Sequence, residues 1–216
     1  VILAARDLVE GWRSGRLRFN PDISIDQIGL SSIDLRLGWI FTRLLPRPGE
    51  VIQPARGIDP TNLTESHDFS QILLLGRTPT FRLPPREFCL AFTLEEITIP
   101  NNLAANVQGK SSLSRAGLAV HTTAPHINPG WAGRITLELY NHGPWELELF
   151  PGEDLVCQII YYMVKTPVPM AIANAMGTYI KQDTPFPVRK TGTQAIKEIK
   201  LSKKKSKKTS SGRKPL

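Results

Sequence analysis

Apolar and polar positions change rhythm once along this chain. Between residues 3 and 14, Leu8 and Trp12 fall one helical turn apart among charged neighbours, and Gly15 follows as a stop. That spacing predicts a short amphipathic helix. Beyond it the pattern becomes alternation or brief apolar runs, at residues 32–37, 71–75, 88–93, 135–140, 147–149 and 155–162. Turn signals separate them: Asn20-Pro21, Pro48-Gly49, Pro84-Pro85, Asn128-Pro129-Gly130, Asn141-His142-Gly143 and Pro151-Gly152. Many short strands with frequent turns predict a mainly β fold, a barrel or distorted jelly roll with few small helices. Residues 163–188 read as irregular.

Composition narrows this picture. The chain has 216 residues, 41% of them hydrophobic, enough for one domain with a real core. Its 18 prolines argue against long helices. No apolar run reaches the length of a membrane span. The opening Val1-Ile2-Leu3-Ala4-Ala5-Arg6-Asp7 is charged too early for a secretory leader, so a cytoplasmic protein is expected. Cys89 and Cys157 lie outside any CxxC and are expected to be structural thiols.

The net charge of +8 belongs to one end. Residues 189–216 carry eleven Lys or Arg against one Glu, leaving residues 1–188 at −2. The expected organisation is a single β domain over 1–188 and a basic tail over 189–216, with nothing to bury from about residue 195. The run Lys203-Lys204-Lys205 with Lys207 and Lys208 fits either contact with nucleic acid or another anion, or a solvated face.

Candidate chemistry gathers in two places. Gln108-Gly109-Lys110-Ser111-Ser112-Leu113-Ser114-Arg115 concentrates a Gly, two cations and three hydroxyls, equipment for binding an anion. It is no P-loop, because Ala104 stands where that motif needs its first Gly. A polar helix start capped by Ser111 or Ser112 is the alternative. Farther on, Glu138 lies in the strand Ile135-Thr136-Leu137-Glu138-Leu139-Tyr140, on one face with Thr136 and Tyr140. It is either a solvated position or a functional carboxylate. The histidines, His67, His121, His126 and His142, form no metal-ligand spacing. The H-x-E and P-C-x-x-C elements of zinc nucleobase deaminases are lacking.

Three signatures in order carry a resemblance. They are Ser32-Ile33-Asp34-Leu35-Arg36-Leu37-Gly38, then Gly109 through Gly133 with Ile135-Thr136-Leu137-Glu138, then Pro151-Gly152 before a hydrophobic strand. Across about residues 3–185 the chain resembles dCTP deaminases, which group with the trimeric dUTPases. The resemblance implies a hydrolase of nucleotide metabolism, a homotrimer with active sites shared between subunits. It would use Mg²⁺ carried by the triphosphate and no zinc. Glu138 would be the general base, Ser111 and the Ala124 carbonyl would hold the attacking water, and Arg115 would orient Glu138. Lys110, Ser111 and Ser112 would contact the phosphates, Arg115 would also touch substrate, Asn128 would face the deoxyribose, and Trp131 would wall the pocket. The backbone of Thr136 and Leu137 would read the base, while Tyr179 and Gln182 would close over the phosphates. Ligands implied are dCTP and dUTP, with dTTP a candidate inhibitor.

Departures from the family pattern sharpen the expectation. Lys110 stands in place of a usual Arg, and Thr178 in place of a usual Lys, with Lys181 near it. Ala171 gives no counterpart to a usual Tyr. Gln158 falls one residue late after Pro151-Gly152, implying a small insertion or bulge. Asn128 replaces a usual Asp, which in dUTPases prepares the water for diphosphate cleavage. The resemblance implies dUTP and ammonia as products, and Asn128, with no Gly-rich C-terminal arm of the dUTPase kind, speaks against a diphosphatase step. The alternatives are a bifunctional deaminase and diphosphatase, a dUTPase, or a non-catalytic nucleotide-binding regulator.

Overall fold

The computed structural model describes residues 1–45, 48–49, 51, 64–70 and 79–176. The first helix forms where the apolar spacing predicts it, as α1 (Ala5–Arg13). Leu8 is fully buried, and Trp12 packs on the core while its indole Nε1 donates to Asp22 Oδ1 at 2.9 Å. Asp7 accepts the Ala4 amide at 3.0 Å, closing the helix start, and Gly15 at φ 71° ends it.

Eleven strands follow among the described residues: β1 (Arg18–Asn20), β2 (Ile33–Leu44), β3 (Thr64–Asp68), β4 (Phe81–Leu83), β5 (Phe88–Thr98), β6 (Leu103–Gly109), β7 (Leu118–Ala119), β8 (His126–Ile127), β9 (Ala132–Asn141), β10 (Leu147–Leu149) and β11 (Leu155–Met163). A 3₁₀ turn, Ile25–Gln27, precedes β2. Two further short helices are α2 (Ser111–Arg115) and α3 (Met170–Met176). The main sheet runs β7-β9-β5-β2-β11-β6-β8, with β1 on β5 and β3 on β2, while β10 and β4 form a separate ribbon. The pairings are antiparallel. The fold is mainly β, a curled, distorted barrel of the jelly-roll kind, as the strand pattern predicts.

Alternation sets the core. On β9, Ile135, Leu137 and Leu139 are buried while Thr136, Glu138 and Tyr140 are half-exposed. The central strand β5 is buried on both faces over most of its length, which explains its unbroken apolar sequence. Phe41 stacks on Phe81 at 3.9 Å between ring centroids, and Phe69 meets Phe41 edge-on. Cys89 and Cys157 are free thiols, both buried. Burial pushes the Cys89 thiol up to about 12, although Arg43 draws it the other way.

Three elements depart from the expectation. Residues 103–109 stand outside the runs expected as strands, although the stretch before Gly109 favours a strand and loop over a βαβ unit, and β6 pairs along β11 from Leu103 to Gly109. Only Asn106 and Gln108 alternate with Val107, while Leu103, Ala104 and Ala105 are buried in a row and two of them are small, so the periodic signal is too short to bound the strand. Helix α3 occupies part of the stretch read as irregular. Strand β2 runs past Gly38, where a Cβ would lie 2.8 Å from the Phe92 carbonyl oxygen. Glycine there lets two strands approach, so it does not mark a turn. The bulge expected near Gln158 is present, as a register shift between Leu155 and Cys157 against β2. The strand expected at 71–75 and the basic tail lie outside the described residues.

Candidate active site

Three neighbouring strands bring the site's polar face together. Gln158 on β11 lies opposite Asp34 on β2 on one side and opposite Gln108 on β6 on the other. All three are half-buried, because the strand neighbours Ile33 and Leu35, Cys157 and Ile159, and Val107 point into the core. The Gln158 amide bridges the row: its Oε1 accepts the Ser32 hydroxyl at 2.8 Å and its Nε2 donates to the Gly109 carbonyl at 3.1 Å. Lys110 then reaches across to pair with the Asp34 carboxylate.

The row continues toward Glu138. The Gln108 carboxamide meets His121 Nε2 at 3.3 Å, and the next residue, Thr122, donates its backbone amide to Glu138 Oε2 at 2.7 Å. The Glu138 amide in turn donates to the Val120 carbonyl at 3.0 Å, fixing the strand beside the loop. One carboxylate oxygen is therefore anchored, while Oε1 makes no hydrogen bond among the described residues. An oxygen held in this way, beside an open one, is suited to taking a proton from a positioned water.

Helix α2 follows Lys110 directly. Lys110 takes the N-cap position, not Ser111 or Ser112, and its side chain makes no cap bond. Ser111 and Ser112 instead lie exposed in the first turn of α2. The helix ends against a close crossing. Gly117 sits at φ 102°, and a Cβ there would meet the Gly143 nitrogen at 2.3 Å. Asn141 holds that crossing, accepting the Gly143 amide at 2.9 Å and donating to the Leu83 and Trp145 carbonyls.

The remaining expected site residues are placed as follows. Ala124 is exposed in the loop after β7, beside Pro125, whose carbonyl accepts the Val107 amide. Asn128 is exposed after β8, and its carbonyl closes the turn by accepting the Trp131 amide at 3.3 Å. Gly130 there has φ 78°, with its amide donating to the Ile99 carbonyl. Trp131 is half-buried and packed on the core, Thr136 is half-exposed and Leu137 fully buried. Arg115 is exposed, and no hydrogen bond or ion pair joins it to Glu138 within the chain. Tyr179 and Gln182 lie outside the described residues.

Several polar groups here were not among the expected site residues. Asp34 is the clearest, and its signal was available: Asp34 and Arg36 alternate with Ile33, Leu35 and Leu37, which puts both on the polar face. The Thr122 amide carries no residue-type signal at all. Nor did sequence mark Glu95, whose side chain is fully buried and holds Arg36 at 2.7 Å, the Arg36 amide at 2.9 Å and Gln27 Nε2 at 3.2 Å. Among the described residues no three His, Cys, Asp or Glu side chains converge as metal ligands, and His121 and His126 point to different partners, Gln108 and Asn106.

Comparison with known proteins places the chain in a family. A family model described as dCTP deaminase-like matches residues 2–164. The chain is 34% identical over 168 residues to the dUMP-forming dCTP deaminase of Methanosphaera stadtmanae, covering 77% of this chain and 81% of the relative. It is 32% identical over 188 residues to the dUMP-forming dCTP deaminase of Methanobrevibacter smithii, covering 85% and 92%. To the dCTP deaminase of Rhodospirillum rubrum it is 35% identical over 199 residues, covering 89% and 98%. Among solved structures, the 2'-deoxycytidine 5'-triphosphate deaminase of Agrobacterium tumefaciens shares the fold, with a TM-score of 0.55 and 21% identity over 76% of this chain and 48% of that one. The chain belongs to the dCTP deaminase-like family, and it is an enzyme.

One expectation is overturned. The resemblance, with Asn128 as support, pointed to a dUTP-forming reaction, but the relatives at 34% and 32% identity are dUMP-forming. One exposed carboxamide is too little to decide the product. Asn keeps one acceptor oxygen that can hold a water, although it loses the charge and exchanges the second acceptor for a donor NH2.

Proposed function

We propose that this protein hydrolyses dCTP to dUMP, consuming two waters and releasing ammonia and pyrophosphate. The observation that carries the proposal is the continuous polar row from Lys110 to Glu138. It sets a cation and two hydroxyl-bearing residues at one end and an anchored carboxylate at the other. A substrate with an anionic tail and a polar ring requires that pairing.

At the ring end, Glu138 takes a proton from water, the oxygen adds to C4 of cytosine, and the proton moves through Glu138 to the pyrimidine. Collapse of the tetrahedral carbon then expels ammonia. Ser111 and the Ala124 carbonyl hold the water, and Arg115 orients the carboxylate. Water positioned by fixed groups and one tuned base supply the activation, and the reading includes no zinc. At the tail end, Lys110, Ser111 and Ser112 hold the phosphates, Asn128 faces the sugar and the α-phosphate side, and Trp131 walls the pocket. Thr136 and Leu137 present backbone groups to the base, and Tyr179 and Gln182 close the site. Mg²⁺ enters with the triphosphate as its counter-ion.

That no hydrogen bond or ion pair joins Arg115 to Glu138 among the described residues favours sites completed by a neighbouring subunit, and we assign a homotrimer. The reaction belongs with cytoplasmic deoxynucleotide supply. Lys110→Ala is expected to raise KM for dCTP about 10- to 100-fold with a smaller change in kcat, the worth of a charge-assisted hydrogen bond. Steady-state kinetics with dCTP measures it. An unchanged KM would remove the phosphates from Lys110.

A further inference from the structure

We propose that Asp34 is the resident anion of the phosphate clamp, a residue that holds Lys110 in the nucleotide-free protein and competes with the triphosphate for it. The proposal rests on the assignment of Lys110 to phosphate. Its observation is the Lys110–Asp34 ion pair itself, with about a quarter of each side chain exposed, 24% and 23%.

Two features set this pair apart from an ordinary surface contact. Both ends are fixed. Asp34 lies inside β2, and its carbonyl accepts Gln27 Nε2 at 2.9 Å. Lys110 follows Gly109, whose carbonyl is held by Gln158, and Gln158 is tied in turn to Ser32. The two main-chain positions from which the side chains reach each other are therefore held in place, and the partly buried setting screens the pair less than an exposed one. Asp34 also has no other cation among the described residues. The neighbouring Arg36 is engaged by Glu95 and by the Asp22 carbonyl.

The residue type at position 110 makes the competition direct. A guanidinium could keep one edge on Asp34 and offer another to phosphate, whereas an ammonium is a compact point charge. While Asp34 holds it, the pair presents no net charge to an arriving anion. Phosphate binding is then an exchange of partners on Lys110, and the strength of the resident pair sets how tightly an anion is held.

The test is binding of inorganic tripolyphosphate to the full chain, in the presence of a chelator, by titration calorimetry. Wild type, Asp34→Asn, Lys110→Ala and the double variant complete a cycle. Asp34→Asn is expected to bind about fivefold tighter than wild type, the scale of a partly exposed ion pair. In the Lys110→Ala background the same substitution is expected to change nothing. Asp34→Ser, which removes the carboxylate through a different side chain, should repeat the gain. Equal or weaker binding by both Asp34 variants would overturn the proposal. So would a gain that persists without Lys110, since Asp34 would then act by simple repulsion. If wild type binds neither tripolyphosphate nor dCTP, the failure lies with the phosphate assignment on which the proposal rests.

Discussion

Glu138→Gln is expected to lower the rate of ammonia release from dCTP by about a thousandfold, within the range assigned to a general base. The substitution is nearly isosteric, and a carboxamide oxygen can still accept the Thr122 amide that Glu138 Oε2 accepts now. The strand and loop should therefore hold their places, and KM should change little. What disappears is the ability to take a proton from water and pass it on. Stopped or coupled assays of ammonia, alongside thermal unfolding, separate the two effects. Retained turnover in a folded variant would transfer the base to another residue. His121 would be the first to consider, since it joins the same polar row.

Glu95→Ala is expected to cost about 3 kcal/mol of stability, at the lower end for a broken buried ion pair. The Glu95 side chain is wholly buried, and its loss leaves the Arg36 amide without its acceptor and takes one acceptor each from the Arg36 guanidinium and Gln27 Nε2, which keep the Asp22 and Asp34 carbonyls. The cost stays at the lower end because the Arg36 side chain is 26% exposed and can turn to water. Glu95→Gln should cost less, since a carboxamide oxygen can still accept one of those donors. Urea unfolding of the two variants checks the order. Equal stabilities of wild type and Glu95→Ala would mean that the carboxylate is not the anchor of this corner. The corner matters to function because Arg36 shares its strand face with Asp34, two residues away.

Much of this fold was legible in the chain. The helix at α1 and the strands β5, β9, β10 and β11 follow from spacing alone, since each exposes one face and buries another, or is buried throughout. β6 was legible only as a strand tendency before Gly109, because Leu103, Ala104 and Ala105 do not alternate and the extent of the strand is defined by its partner β11. Short strands such as β7 and β8 are fixed by pairing with longer neighbours and carry almost no local signal.

The site divides in the same way. Glu138 and Lys110 could be marked from residue type, a carboxylate in an apolar strand and a cation beside hydroxyls. Their connection could not. It runs through a backbone amide at Thr122 and through side chains drawn together by strand register, and neither leaves a trace in sequence. Asn128 shows the opposite hazard, a visible substitution that invites too strong a conclusion about product.

The central claim is the product. Purified protein incubated with dCTP and Mg²⁺ should release ammonia and pyrophosphate in equal amounts, with dUMP appearing at the same rate and no accumulation of dUTP. Accumulation of dUTP with ammonia but without pyrophosphate would contradict it, and would show that the carboxamide at Asn128 had closed the diphosphatase step after all.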